Sequence, residues 1–117
     1  MITVVHHIDA GYVTINYEPN EPIDETMANE IDMFNEEYYE TDYAYNWRVE
    51  ADKEIIYAVI DYADWGVPYQ DDKAGLQMFA NVIKEKSGYT MDLDNQDIDV
   101  INRDEDLKRY KKNNNGN

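Results

Sequence analysis

The chain has no cysteine, only two histidines and, across its first 47 residues, no lysine or arginine. Each gap excludes something. Without cysteine there is no disulfide framework, no thiol nucleophile and no thiolate metal ligand. The five glycines form no phosphate-cradling loop, so a nucleotide-binding enzyme of the P-loop or dinucleotide type is not indicated. No apolar run is long enough to cross a bilayer, and Met1 leads into ITVVHHI without a basic stretch. Neither a signal peptide nor a membrane span is expected, and the expected location is the cytoplasm. The missing bases also leave no cationic aromatic face for phosphate contacts, so direct nucleic-acid binding is not expected.

What fills these gaps is acid. The net charge is −16, and it is uneven: residues 1–47 carry 11 acids and no base, whereas residues 48–117 carry 15 acids and 10 bases. Such a field repels nucleic acid and anionic lipid and attracts basic surfaces. An apolar fraction of 43% and eleven tyrosines separate the chain from disordered acidic tails, which have neither. Its length suits a single domain over residues 1–112, with KKNNNGN ending in a disordered tail at 113–117.

Residues 2–8 and 12–17 flank Asp9-Ala10-Gly11, which reads as a β-hairpin. From Ile23, the apolar residues Met27, Ile31, Phe34 and Tyr38 follow at spacings of 4, 4, 3 and 4, one helical stripe ending near residue 40. Tyr43, Tyr45, Trp47 and Val49 alternate with polar or small residues. IIYAVIDY at 55–62 is apolar on both faces, and Asp52-Lys53 makes the turn between these two strands. A second helix opens at Asp71-Asp72, turns Leu76, Phe79, Ala80 and Ile83 inward and closes at Gly88. A short third helix is expected from Asn102, where Asp104 precedes Lys108 and Glu105 precedes Arg109 at i,i+4. The pattern predicts an α+β fold: an antiparallel sheet of about four strands in ββαββα order, two main helices on one face and a short C-terminal helix.

The two main helices differ electrostatically. The second has acids at its start and Lys84 and Lys86 near its end, as the macrodipole favours. The first places Asp24 and Glu25 well but crowds Glu36, Glu37 and Glu40 toward its expected C-terminal end. Asp32, Glu36 and Glu40 are successive i,i+4 neighbours. Together with the dipole term, the arrangement costs on the order of 1–3 kcal/mol at low salt. Solubility alone does not require that cost. Residues four apart on a helix are about 6 Å apart along the axis, near the phosphate repeat of one nucleic-acid strand. Tyrosine adds rigid amphipathic contact area. The candidate partner-binding residues are therefore Asp32, Glu36, Glu37, Tyr39, Glu40, Asp42 and Tyr43.

Chemistry-bearing constellations are few. His6 and His7 are neighbours in a strand and point to opposite faces, so they do not share a metal. Asp92-Leu93-Asp94-Asn95-Gln96 imitates the opening of a calcium loop, but Asp97 stands where glycine is needed and Arg103 where the bidentate glutamate belongs. With 26 acids, carboxylate pairs arise by chance. No catalytic residue, metal site or cofactor is assigned, and the chain is not read as an enzyme.

In its charge, its acid-rich helix and its tyrosines, the chain resembles the small acidic DNA-mimic inhibitors encoded by phages and mobile elements. That resemblance implies a stoichiometric inhibitor, of anti-restriction or anti-CRISPR type, filling a basic nucleic-acid-binding cleft in the host cytoplasm. Two other readings share the same features: an immunity protein or antitoxin against a basic toxin, and a soluble acidic housekeeping protein.

Overall fold

The computed structural model describes residues 1–32, 47–61 and 71–102. Strands β1 (Ile2–His7) and β2 (Tyr12–Tyr17) form the expected hairpin, in register from Ile2 opposite Tyr17 to His7 opposite Tyr12. Gly11 takes a positive φ of 81°, and its N–H donates to the His7 carbonyl at 2.9 Å. A side chain at that φ is strained, so the turn requires glycine.

Helix α1 (Glu25–Asp32) starts where Asp24 Oδ1 accepts the N–H groups of Thr26 and Met27, at 3.0 and 3.4 Å. The carboxylate satisfies donors that the first turn leaves open. Ile23 and Ile31 are buried and Met27 is half-buried, as the stripe required. The remainder of that stripe, Phe34 and Tyr38, lies outside the described residues.

Strands β3 (Trp47–Ala51) and β4 (Ile56–Asp61) pair antiparallel around a turn organised by Asp52. Its Oδ1 accepts from Glu54 N at 2.7 Å and Ile55 N at 2.9 Å. These two amide bonds, Glu54 first, hold the Asp52 carboxyl below its ordinary range. Ile56, Ala58 and Ile60 of β4 are fully buried, but Tyr57 on its other face is exposed. The run that is apolar on both faces is thus open on one of them at Tyr57.

Helix α2 (Asp72–Ser87) matches its sequence signals. Asp71 Oδ1 accepts Ala74 N–H at 3.2 Å, and Gly88 closes the helix at φ 82°, donating to the Lys84 carbonyl at 2.9 Å. Leu76, Phe79, Ala80 and Ile83 are buried.

The sheet corrects the expected topology. It has five strands in the order β3-β4-β2-β1-β5, where β5 is Ile98–Asn102. All pairs are antiparallel except β1 with β5, which runs parallel from Ile2 opposite Ile98 to His6 opposite Asn102. The fold is α+β, yet the four-stranded, wholly antiparallel ββαββα arrangement is not what forms. The reason is local. The alternation Ile98, Val100 aligns with Ile2 and Val4, and α2 supplies the long crossover that a parallel pair needs. The expected C-terminal helix cannot begin at Asn102, which is the last residue of β5. The rest of that helix and the tail at 113–117 lie outside the described residues.

Both helices cover one face. From the sheet, Ile2, Val4, Ile15, Tyr17, Val49 and Ile60 meet Ile23, Ile31, Leu76, Phe79 and Ile83 in one core. Each large aliphatic or aromatic side chain buried there contributes about 1.5–3 kcal/mol. Among the described residues, no helix is long and apolar enough to cross a membrane.

Candidate functional site

Of the residues singled out for partner binding, Asp32 lies within the described structure. Glu36, Glu37, Tyr39, Glu40, Asp42 and Tyr43 lie outside the described residues. Asp32 is exposed on α1, and its Oδ1 accepts the N–H of Ala51, the last residue of edge strand β3, at 3.1 Å. The carboxylate is therefore more than an outward charge. It occupies a main-chain donor that an edge strand turns away from its sheet. Beside it, Arg48, Glu50, Asp52, Ile55 and Tyr57 line an open groove of about 590 Å³. Arg48 Nη2 donates to Glu50 Oε1 at 3.0 Å, with both side chains more than half exposed. Such a pair is worth at most about 1 kcal/mol.

A second acidic surface is assembled from segments that are separate in the sequence. The end of β2, the β3–β4 turn and the segment leaving α2 meet at one end of the sheet. They bring Glu18, Glu21, Asp24, Glu54, Asp94 and Asp97 there, all exposed. Hydrogen bonds join the segments: Ile23 N–H to the Lys53 carbonyl at 2.8 Å, and Asn20 Nδ2 to the Asn95 carbonyl at 3.2 Å. Ile2 N–H donates to the Asp97 carbonyl at 2.8 Å. The Asp92 carboxylate, which opens the calcium-like sequence, is engaged by its own loop. Its Oδ1 accepts from Asp94 N at 3.2 Å, Asn95 N at 3.1 Å and Asn95 Nδ2 at 3.3 Å. Among the described residues, no group of three or more His, Asp and Glu side chains is placed to hold a metal ion.

Tyr17 anchors that loop to the core. Its hydroxyl is the acceptor for Asp92 N–H at 3.0 Å, and Tyr89 lies against it edge-on with ring centroids 6.5 Å apart. Burial, and then the neighbouring Tyr17 hydroxyl, push the Tyr89 hydroxyl well above its ordinary pKa.

The two histidines separate as strand alternation demands. His7 stacks on Tyr12 with ring centroids 4.5 Å apart, on the face away from the helices. His6 is buried beneath α2, its Nε2 2.6 Å from Asp72 Oδ1. In the sequence, His6 shows only as one of two strand neighbours on opposite faces, and Asp72 as an acid at a helix start. The signal for their pairing was the position of an inward-facing histidine at a strand end, which sets a polar ring against whatever opens the covering helix.

Compared with protein-family models, with curated proteins and with solved structures, the chain matches none.

Proposed function

We propose that the protein is a stoichiometric inhibitor that occupies a basic, nucleic-acid-binding site on a partner protein, in the manner of a DNA mimic. The observation that carries this reading is the distribution of charge. A net charge of −16 is combined with exposed carboxylates at one end of the sheet, on three segments held together by main-chain and asparagine hydrogen bonds. A presented set of negative charges attracts a cationic cleft at long range and loses little freedom when it docks. Asp32 adds an exposed carboxylate on α1, and the acid- and tyrosine-rich stretch that includes Glu36, Glu37, Tyr39, Glu40, Asp42 and Tyr43 is proposed as the principal contact. The partner is a basic protein, not nucleic acid or lipid.

The test begins with capture of a partner from host lysate on the immobilised protein, followed by competition with duplex DNA. The protein and DNA are expected to displace each other from the partner, with affinity falling as salt rises. Reversal of Glu36, Glu37 and Glu40 to Lys is expected to remove competition. An equal-charge reversal at Asp104, Glu105 and Asp106 is expected to spare most of it. Simultaneous binding of DNA and protein, with no mutual loss of affinity, sinks the proposal.

A further inference from the structure

The two edges of the sheet are finished differently. At β3, Asp32 occupies the Ala51 N–H, and Arg48 and Glu50 present charged side chains. At β5, among the described residues, the charged side chain is the exposed Asp99, an acid, and no side chain is seen to occupy an outward main-chain N–H as Asp32 does at β3. The bond from Ile2 N–H to the Asp97 carbonyl fixes the phase of the strand: Asp97, Asp99 and Ile101 turn their main-chain groups toward β1. Ile98 and Val100 consequently turn theirs outward, at the end of the sheet order. Their side chains are exposed as well, at 37% and 42%. The segment Ile98-Asp99-Val100-Ile101-Asn102 contains no lysine, proline or glycine, and its register with β1 is unbroken by a bulge. Lysine, proline and bulges are among the features by which edges are ordinarily protected from further pairing.

We propose that β5 is a docking edge for an extended basic strand of the partner, which adds to the sheet by main-chain hydrogen bonding. This rests on the reading that the partner is basic. An incoming strand would alternate its side chains between the two faces of the sheet. On the helix face its residues meet Ile98 and Val100, which favours aliphatic side chains. On the other face they meet the exposed Asp99, with Asp97 at the adjoining position, which favours lysine or arginine. The recognised chemistry is thus an alternation of aliphatic and basic residues. A second copy of this chain is the wrong occupant, because it would bring another net charge of −16 to the same edge.

The probe is a terminally blocked KVKVKVK heptapeptide, with KGKGKGK as a control of equal charge and poor strand propensity and EVEVEVE as a control of opposite charge. The readout is nitrogen-15 NMR of the full chain, following shifts and hydrogen exchange at the Ile98 and Val100 amides. KVKVKVK is expected to bind about tenfold or more tightly than KGKGKGK, and to slow exchange at both amides, while EVEVEVE does neither. The decisive variant is Val100→Pro. Its lost N–H faces away from β1, so the β1–β5 ladder survives while the incoming strand loses a donor. Binding of KVKVKVK is expected to weaken about tenfold with little change in thermal unfolding. Should that variant fail to fold, Val100→Lys repels the basic strand without removing the amide and is expected to weaken binding similarly.

Three outcomes overturn the proposal: equal binding of KVKVKVK and KGKGKGK, slow exchange at Ile98 and Val100 in the free protein, or a dimer that Val100→Pro converts to monomer. Loss of peptide binding in Val100→Pro with full competition against DNA at the captured partner also overturns the edge as that partner's docking site, and leaves the acidic reading standing. Simultaneous binding of DNA and protein removes the acidic reading, whatever the peptide does.

Discussion

Removing the carboxylate of Asp72 is expected to destabilise the fold far more than removing any exposed acid, because of what it does to His6. The His6 ring is 1% exposed and its Nε2 sits 2.6 Å from Asp72 Oδ1. Asp72→Ala deletes that acceptor and leaves a buried N–H short of a hydrogen bond, which costs about 1–3 kcal/mol. The same change removes an acid from the first turn of α2, a further loss of about 0.3–1 kcal/mol. The sum is about 1.3–4 kcal/mol, against a typical total of about 5–15 kcal/mol. Asp72→Asn retains an acceptor oxygen and is expected to lose less than half as much. His6→Leu removes the polar ring instead, so Asp72→Ala introduced into that background should cost little beyond the helix-start contribution. Urea unfolding of the four proteins forms a double-mutant cycle, and the expected coupling is about 1–3 kcal/mol. With a urea dependence of about 1–3 kcal/mol per molar, Asp72→Ala lowers the midpoint by about 1 M. A coupling below about 0.3 kcal/mol would show that His6 does not depend on Asp72, and the reasoning would fail.

Tyr89 supplies a pH dependence. Its pKa is raised in the fold, so the native state holds its proton more tightly than the unfolded chain; its contribution is full below the ordinary tyrosine pKa and declines as pH rises above about 10. Urea midpoints from pH 8 to 11 should fall less steeply in Tyr89→Phe, and identical slopes would contradict the assignment. Gly88→Ala is expected to cost about 1–2 kcal/mol in thermal or urea unfolding, since a side chain there meets nothing within 4 Å and the penalty is that of a positive φ alone. Asp32→Ala should lower stability by about 0.5–1.5 kcal/mol through the lost Ala51 bond, whereas Asp32→Asn, which can still accept, should lose little.

The elements that the sequence disclosed are those whose signals are local and redundant. Helix α2 combined a capping aspartate, an apolar stripe, basic residues near its end and a terminal glycine, and each has the expected role in the structure. The first hairpin followed from Gly11 and the alternation in β2. Strand β5 was illegible because its five residues form too short an alternation, and because the i,i+4 charges after Asn102 suggested a helix beginning at that point. Its partner is also distant in sequence, so no neighbouring segment marks it as a strand. At the candidate site, sequence identified Asp32 by charge and spacing alone. Its bond to Ala51 depends on where α1 lies relative to β3, which no periodicity encodes. The pairing of His6 with Asp72 is of the same kind: two residues far apart in the chain, meeting only once the helix is laid on the sheet.

The parallel pairing of β1 with β5 also dictates an order of assembly. Ile2 and Ile98 stand at nearly opposite ends of the described chain, yet they are neighbours in the sheet. The hairpins β1–β2 and β3–β4 close over short loops, and they can form early. The β1–β5 ladder must await the chain's passage through both hairpins and α2, and the entropy of closing so long a loop is spent before any of its hydrogen bonds forms. During that interval the outer side of β1 is itself an open edge, carrying Ile2 and Val4. With a net charge of −16 on each chain, incompletely folded copies repel one another while that edge is still uncovered.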